Sequence, residues 1–282
     1  MNSFTCLSCL VPESSDEELA AVLAESSSLG AWLQPEQPGL LRAMVYLDPS
    51  ASDSDAALEQ ALRLIGGRQF RRQKVPVRDW LEEYRRAARP FTVGTRWWID
   101  PRRDESADAP DGRVCLRIEP STAFGSGSHE STQLILMALE DLPVEGATVL
   151  DLGAGSGILA LAADALGADS VVAVDIDPQA VWVARRTCGR QEWGSRVALV
   201  VGTAAAVAEG RFDVVLCNVL AGVMTPLLPE IQRRLAPKGC AVLAGMMEAE
   251  LGTMRDAVAI SGLLIRRETA LGDWVALEVQ RG

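Results

Sequence analysis

From Thr148 to the end of the chain, short apolar runs alternate with segments of helical periodicity. The apolar runs predict strands near residues 148–152, 170–175, 197–201, 212–217 and 240–245. The periodic segments predict helices near residues 157–166, 178–190, 223–235 and 249–260. Two terminal strands, near 263–269 and 273–280, lack a full helix between them, which indicates a last strand that runs antiparallel at or near the edge. The alternation predicts an α/β fold with a mostly parallel sheet and helices on both faces.

The first 70 residues follow a different pattern. They predict strands at Phe4–Val11, Ala31–Leu33 and Leu40–Leu47, and helices at about residues 15–25 and Ala56–Ile65. This small α+β unit contains no cluster of chemically reactive side chains. We interpret it as a substrate-recognition domain, and the alternative is a unit that only stabilises the fold.

A charged segment connects this unit to the rest of the chain. Helical spacing from Val77 to Ala88 predicts a linker helix over residues 71–90. The apolar run Phe91–Asp100 then predicts one strand. The predicted organisation is therefore a small α+β domain over residues 1–70, the linker helix, and a larger α/β domain over residues 91–282.

Composition and charge narrow the class of partner. The chain has 282 residues and a net charge of −11, from 27 Lys and Arg against 38 Asp and Glu. Surfaces that hold nucleic acid broadly are usually basic, so we expect no broad nucleic-acid binding, whereas an acidic protein attracts a basic one. No apolar run is long enough to span a bilayer, and Met1–Glu13 lacks the basic flank of a secretory signal. We expect a cytoplasmic monomer that does not associate with membranes.

Cysteine and histidine positions argue against metal chemistry. Cys6 and Cys9 have the spacing of a redox or zinc pair, but no second Cys or His pair accompanies them. In a strand, these two side chains would lie on opposite faces. The chain has a single histidine, His129, which excludes His-based metal sites and disfavours a Ser-His hydrolase. We predict no metal site.

A glycine-rich turn follows the predicted strand near 148–152. Val149–Gly157 reads V-L-D-L-G-A-G-S-G, and the next predicted strand ends on Asp175. A strand, a glycine turn, a helix and an acidic strand end form the geometry that binds an adenosine moiety at the carboxyl ends of parallel strands. Gly153, Gly155 and Gly157 have the spacing G-x-G-x-G. In the G-x-G-x-x-G turn of a dinucleotide-binding protein the third glycine would stand at position 158, where this chain has Ile158.

This spacing favours one cofactor over another. Without the third glycine of a phosphate-binding turn, the segment suits S-adenosylmethionine, whose charged group is a sulfonium. Asp175 would accept hydrogen bonds from both ribose hydroxyls. Each part also has a purely structural explanation, because a glycine turn can simply connect a strand to a helix and an Asp there can be an N-cap or a turn residue. In combination they predict an adenosyl-cofactor site that contains Gly153, Gly155 and Asp175.

A loop ahead of the predicted helix Gln133–Leu139 is expected to reach the same sheet edge. Phe124–Thr132 reads F-G-S-G-S-H-E-S-T. We interpret it as a loop that closes over the methionine end of the cofactor, and the alternative is a flexible Gly-Ser linker. Ser131 or Thr132 is expected to cap the helix, and His129 to order the loop through hydrogen bonds.

A third segment, Cys217–Gly222, follows the predicted strand near 212–217. It places Asn218 at a carboxyl strand end, beside the expected position of the sulfonium methyl group. The amide oxygen of an asparagine there can orient an amine nucleophile. The alternative is an asparagine that only forms a turn.

Together these segments resemble the bacterial ribosomal protein L11 methyltransferase family. The resemblance rests on Ala123–Thr132, the turn after Asp151, the run Asp175–Pro178 and the run Asn218–Gly222, which occur in the family's order. It covers nearly the whole chain and is weaker over residues 1–70. It implies a class I methyltransferase fold that uses S-adenosylmethionine to trimethylate amino groups of a basic ribosomal protein. Carried over position by position, the family's cofactor contacts fall on Thr132, Gly153, Asp175 and Asn218.

The loop departs from the family's usual G-T-G-T-H-P-T-T. Ser126, Ser128, Glu130 and Ser131 replace two Thr, the Pro and a further Thr. The hydroxyls are kept, so cofactor binding should survive. Loss of the proline should loosen the loop, and Glu130 adds a negative charge near the mouth of the site.

We predict methyl transfer by in-line displacement from the sulfonium to a protein amine, with Asn218 as the catalytic residue. Alignment would supply most of the catalysis, and no dedicated base is evident. The alternatives are methylation of another protein, a small molecule or a nucleic acid, and an adaptor without activity. Val219 and Leu220 follow Asn218 where many base methyltransferases have Pro-Pro, which disfavours methylation of a nucleic-acid base. The intact Gly153 and Asp175 argue against an adaptor without activity.

Overall fold

A computed structural model describes residues 3–15, 18–19, 22–23, 26, 28–47, 54–76, 88–102, 109–119, 124–191 and 193–282. The chain divides into two units, Met1–Asp79 and Trp80–Gly282. No helix among the described residues is long and apolar enough to cross a membrane.

The first unit is an antiparallel sheet with helix α1. Its elements are β1 (Ser3–Pro12), β2 (Ser28–Gln37), β3 (Leu40–Leu47), α1 (Ser54–Leu64) and β4 (Arg68–Pro76). The strand order is β2-β3-β1-β4. Leu7 and Cys9 of β1 and Leu62 of α1 belong to one apolar core. Cys6, on the other face of β1, is also buried, and both thiols are free.

Strand β4 corrects the predicted linker. The prediction of a helix from residue 71 is wrong for residues 71–76, which pair antiparallel with β1. Their charges suggested a solvated helix because β4 is an edge strand with exposed side chains such as Arg71 and Lys74. Residues 77–87 of the predicted linker, and most of the predicted helix at 15–25, lie outside the described residues.

The second unit contains the α/β sheet. Its strands in this sheet are β8 (Thr148–Leu152), β9 (Ser170–Asp175), β10 (Val197–Val201), β11 (Phe212–Asn218), β12 (Leu235–Met247), β13 (Leu263–Leu271) and β14 (Trp274–Arg281). Its helices are α2 (Glu130–Asp141), α3 (Ile158–Ala165), α4 (Pro178–Cys188), α5 (Ala221–Arg234) and α6 (Leu251–Ile260).

The strand order is β10-β9-β8-β11-β12-β14-β13. The ladders from β10 to β12 are parallel, and β14 pairs antiparallel with both β12 and β13. The predicted α/β alternation is therefore confirmed, and so is the antiparallel last strand next to the edge. β11 is buried on both sides, with Leu216 in the core on one face and Cys217 in the core on the other. A strand covered on both faces explains the continuous apolar runs of the sequence.

A smaller sheet precedes α2 in the second unit. It consists of β5 (Phe91–Val93), β6 (Trp97–Asp100) and β7 (Val114–Arg117), in the order β5-β6-β7. The prediction of a single strand over Phe91–Asp100 is wrong, because a turn at Gly94 folds it into a hairpin. The sequence pattern did not predict β7, which is short and pairs parallel with β6.

Candidate active site

The glycine turn lies between β8 and α3. Gly153, Gly155 and Gly157 all have positive φ angles, of 76°, 54° and 81°, which favour glycine. The backbone N–H of Gly153 donates to the carbonyl of Val174 over 2.9 Å, so the turn is attached to β9. A Cβ atom at Gly155 would lie 2.6 Å from the carbonyl oxygen of Phe124. The turn therefore requires glycine for both its backbone conformation and its close contacts.

Asp175 ends β9 directly opposite this turn. Its Oδ2 accepts the backbone N–H of Gly155 at 2.8 Å, and its Oδ1 accepts the backbone N–H of Asp177 at 2.9 Å. A carboxylate offers about four lone-pair sites, so acceptor capacity remains on both oxygens. Asp177, not Asp175, is the N-cap of α4, because its Oδ1 accepts from Gln179. The N-cap explanation of Asp175 is thereby excluded, whereas its bond to the N–H of Asp177, two residues further on, is that of a turn-forming Asp.

Asp151 lies beneath the turn and is fully buried. Its Oδ2 accepts the backbone N–H of Ala160 over 3.1 Å, and its Oδ1 has no hydrogen-bond partner among the described residues. Burial raises the pKa of this carboxyl to about 7, and the negative charge of Asp175 adds to the rise. Asp151 belongs to the sequence motif, but the sequence contained no signal for its burial or for its raised pKa.

Asn218 ends β11 and contacts a residue far away in sequence. Its Nδ2 donates to Oγ1 of Thr132 over 3.1 Å, and Thr132 itself is fully buried in the first turn of α2. The amide oxygen of Asn218 is buried without a hydrogen-bond partner among the described residues. Since an unpaired buried acceptor is costly, this oxygen marks a place where a ligand donor would be stabilised.

The loop before α2 is attached to the glycine turn. The backbone N–H of Ser156 donates to the carbonyl of Phe124 over 2.9 Å, and its hydroxyl donates to the carbonyl of Gly125 over 2.6 Å. Such contacts across 31 residues contradict the flexible-linker alternative. The sequence pattern gave no sign of this role for Ser156.

The expected cap of α2 is wrong. Neither Ser131 nor Thr132 is the N-cap, because the helix begins at Glu130 and both hydroxyl residues lie inside its first turn. The N-cap is His129, whose Nδ1 accepts the backbone N–H of Ser131 at 3.2 Å. The prediction that His129 orders the loop through hydrogen bonds is confirmed.

The predicted site residues thus form two bonded pairs. Gly155 binds Asp175, and Thr132 binds Asn218. Val219 lies between the pairs, because a Cβ at Gly153 would come within 2.7 Å of its Cγ1. Adjacent parallel strands explain the convergence, since β8 is flanked by β9 and β11 and their carboxyl ends share one edge.

A separate cavity of about 440 Å³ opens at the opposite edge of the sheet, lined by residues that include Gly146, Asp213 and Lys238. None of the predicted site residues lines it. Among the described residues no group of three or more His, Cys, Asp or Glu side chains could hold a metal ion.

The site residues fit S-adenosylmethionine. Asp175 retains acceptor capacity for ribose hydroxyls, and the amide oxygen of Asn218 has no donor among the described residues. The sheet order, with its antiparallel β14, and this crevice define a class I S-adenosylmethionine-dependent methyltransferase.

Comparison with known proteins identifies the family. The profile of the ribosomal protein L11 methyltransferase (PrmA) family matches residues 14–282. The L11 methyltransferase of Myxococcus xanthus is 32% identical over 99% of both chains, and that of Pelotomaculum thermopropionicum is 35% identical over 87% of this chain and 82% of its own. The crystal structure of ribosomal protein L11 methylase from Lactobacillus delbrueckii subsp. bulgaricus superposes with a TM-score of 0.63 at 29% identity. It covers 69% of this chain and 99% of its own. The chain belongs to the ribosomal protein L11 methyltransferase family.

Proposed function

We propose that this protein methylates amino groups of ribosomal protein L11 with S-adenosylmethionine as the methyl donor. Membership of the family supports the reaction class and the substrate. The observation that carries the proposed reaction site is the buried amide oxygen of Asn218, which has no hydrogen-bond partner among the described residues.

Gly153, Gly155 and Asp175 are the proposed cofactor-binding residues of the turn and β9. The glycines give the turn its shape through their positive φ angles, and Asp175 accepts from the ribose hydroxyls. Ile176 follows Asp175 and is 74% exposed, which offers an apolar surface for the adenine ring. The bound cofactor supplies a methyl group that the sulfonium has activated for nucleophilic attack.

Thr132 and Asn218 are the proposed residues at the methyl-transfer end of the site. Because Thr132 accepts from the amide nitrogen, the amide oxygen is the atom left to receive a proton donor. A neutral amine that donates to this oxygen is held in one orientation, and alignment of this kind lowers the barrier. Asn218 is not basic, so the proton of a lysine ammonium leaves to water or to a carboxylate.

The remaining assignments rest on the family and on composition. We assign substrate recognition to the N-terminal unit, Met1–Asp79. A ribosomal protein substrate supports a cytoplasmic location, and the net charge of −11 suits a basic protein acceptor without broad nucleic-acid binding. We propose that the enzyme acts as a monomer.

The decisive experiment combines the purified chain with purified L11 and methyl-labelled S-adenosylmethionine. Mass spectrometry of the product should locate label on amino groups of L11. Asn218→Ala should reduce incorporation while calorimetry still detects cofactor binding. Cofactor binding by the wild type without label on L11 would favour the alternative, another protein or a small-molecule acceptor. Failure to bind the cofactor would contradict the proposed site.

A further inference from the structure

His129 is held in place on three sides. Its Nδ1 lies 2.8 Å from the hydroxyl of Ser131 as well as 3.2 Å from the backbone nitrogen of that residue. Its ring contacts Phe124 edge-on at 5.3 Å between centroids and Trp274 at 4.5 Å. The imidazole therefore joins the Gly-Ser loop, the start of α2 and the first residue of β14.

These bonds determine which form of the ring the structure requires. A backbone N–H can only donate, so Nδ1 must be an unprotonated acceptor and the ring proton must lie on Nε2. Protonation of the imidazole makes both nitrogens donors. The doubly protonated ring therefore cannot accept the N–H of Ser131, and α2 loses its N-cap.

The cap is directly connected to the Asn218 amide. The carbonyl of His129 accepts the backbone N–H of Thr132 at 3.0 Å, and Oγ1 of Thr132 accepts Nδ2 of Asn218 at 3.1 Å. Ser131 and Thr132 are both buried, so the first turn of α2 is surrounded by packed side chains. The imidazole cap therefore holds the first turn of α2, and this turn contains Thr132, whose hydroxyl accepts the Asn218 amide nitrogen.

We propose that neutral His129 is a positioning residue for methyl transfer, which fixes the start of α2 so that Thr132 aligns the Asn218 amide with the acceptor amine. Protonation of the ring releases the cap and misaligns Asn218. This inference rests on the proposed role of Asn218. Two carboxylates are adjacent in sequence to the residues of this contact: Glu130 follows His129, and Asp273 precedes Trp274.

Three variants separate positioning from general stability. His129→Ala removes the acceptor, His129→Asn keeps a good N-cap acceptor that does not titrate, and Glu130→Gln with Asp273→Asn controls for the neighbouring carboxylates. Each is assayed from pH 5.5 to 8.5 for kcat, for KM of the acceptor that the wild type methylates, and for the calorimetric Kd of S-adenosylmethionine. Thermal melting establishes that each variant is folded.

His129→Ala should lower kcat about tenfold or more and leave the cofactor Kd within about threefold. His129→Asn should recover most of kcat at pH 8. The carboxylate variants should keep the wild-type kcat. An unchanged kcat in a folded His129→Ala, or a folded His129→Asn that recovers no more kcat than His129→Ala, would overturn the inference. Neither outcome would contradict the proposed function, which fails only if the wild type transfers no methyl group to L11.

Discussion

The backbone N–H of Gly155 donates to Oδ2 of Asp175 over 2.8 Å, which joins the glycine turn and the acidic strand end into one hydrogen-bonded unit. Residues 20 positions apart are brought together because β8 and β9 are parallel neighbours. Asp175 therefore serves the turn as well as the proposed ribose site, and a change at either residue should affect the other.

Asp175→Asn should weaken S-adenosylmethionine binding about 10- to 100-fold, or roughly 1.5 to 3 kcal/mol. The amide keeps the shape of the side chain but loses the charge and one acceptor oxygen. Calorimetry measures the effect, and Asp177→Asn is the matched control. Asn caps helices as well as Asp does, so the control should bind normally. Equal binding by both variants would refute the ribose assignment.

Gly155→Ala should destabilise the protein and reduce cofactor affinity more than tenfold, since the new methyl group would contact the Phe124 carbonyl at 2.6 Å. Gly146→Ala is the control, because Gly146 also has a positive φ of 73° but has open space around it. In both variants, backbone strain should lower the free energy of unfolding by about 1 kcal/mol. Only the first should affect the cofactor Kd, and a matching loss in Gly146→Ala would show that the close contact is irrelevant.

Thr132→Val and Asn218→Ala should have non-additive effects on kcat. Loss of the amide in Asn218→Ala is expected to lower kcat about a hundredfold. Loss of the hydroxyl in Thr132→Val should lower kcat by a smaller factor. The double variant should resemble Asn218→Ala, because the hydroxyl acts through the amide. Thr225→Val removes a hydroxyl that bonds only the Ala221 carbonyl within α5, and it should leave kcat unchanged. Additive losses in the cycle would mean that the two residues act separately.

The free energy of unfolding of Asp151→Asn should increase relative to that of the wild type as the pH rises. The pKa of this carboxyl is raised to about 7 in the folded protein, from an ordinary value of 3.8. The native state therefore binds more protons between these values, so the wild type loses stability as pH rises through that window. The neutral amide has no such dependence, and the gap between variant and wild type should widen by roughly 2 to 3 kcal/mol from pH 5 to pH 8.

Urea unfolding at the two pH values measures this change. Asp256→Asn makes the same replacement of Asp by Asn at an exposed position of α6 and is the control. A constant difference between Asp151→Asn and the wild type across the range would argue against a buried carboxyl that titrates there.

The α/β domain was predictable because its signals are local. The strand-helix alternation from β8 to β14 depends on apolar runs and helical spacing, which neighbouring residues determine. The turn at Gly153 and the carboxylate of Asp175 were recognisable for the same reason, because a single β-α-β unit contains both. The first unit was less predictable, since β4 is a charged edge strand whose pattern imitates a solvated helix.

The sequence by itself determined the class of cofactor, because few residue types other than glycine can adopt the backbone angles of the turn, and the turn is therefore recognisable from its residues. Only the tertiary structure decided how the residues at the methyl-transfer end of the site come together. The bond between Thr132 and Asn218 spans 86 residues, and the choice of His129 as the N-cap depends on contacts with Trp274. The burial that shifts the pKa of Asp151 likewise arises from packing on every side. Contacts of this kind depend on how distant segments pack, and no local pattern of the chain records them.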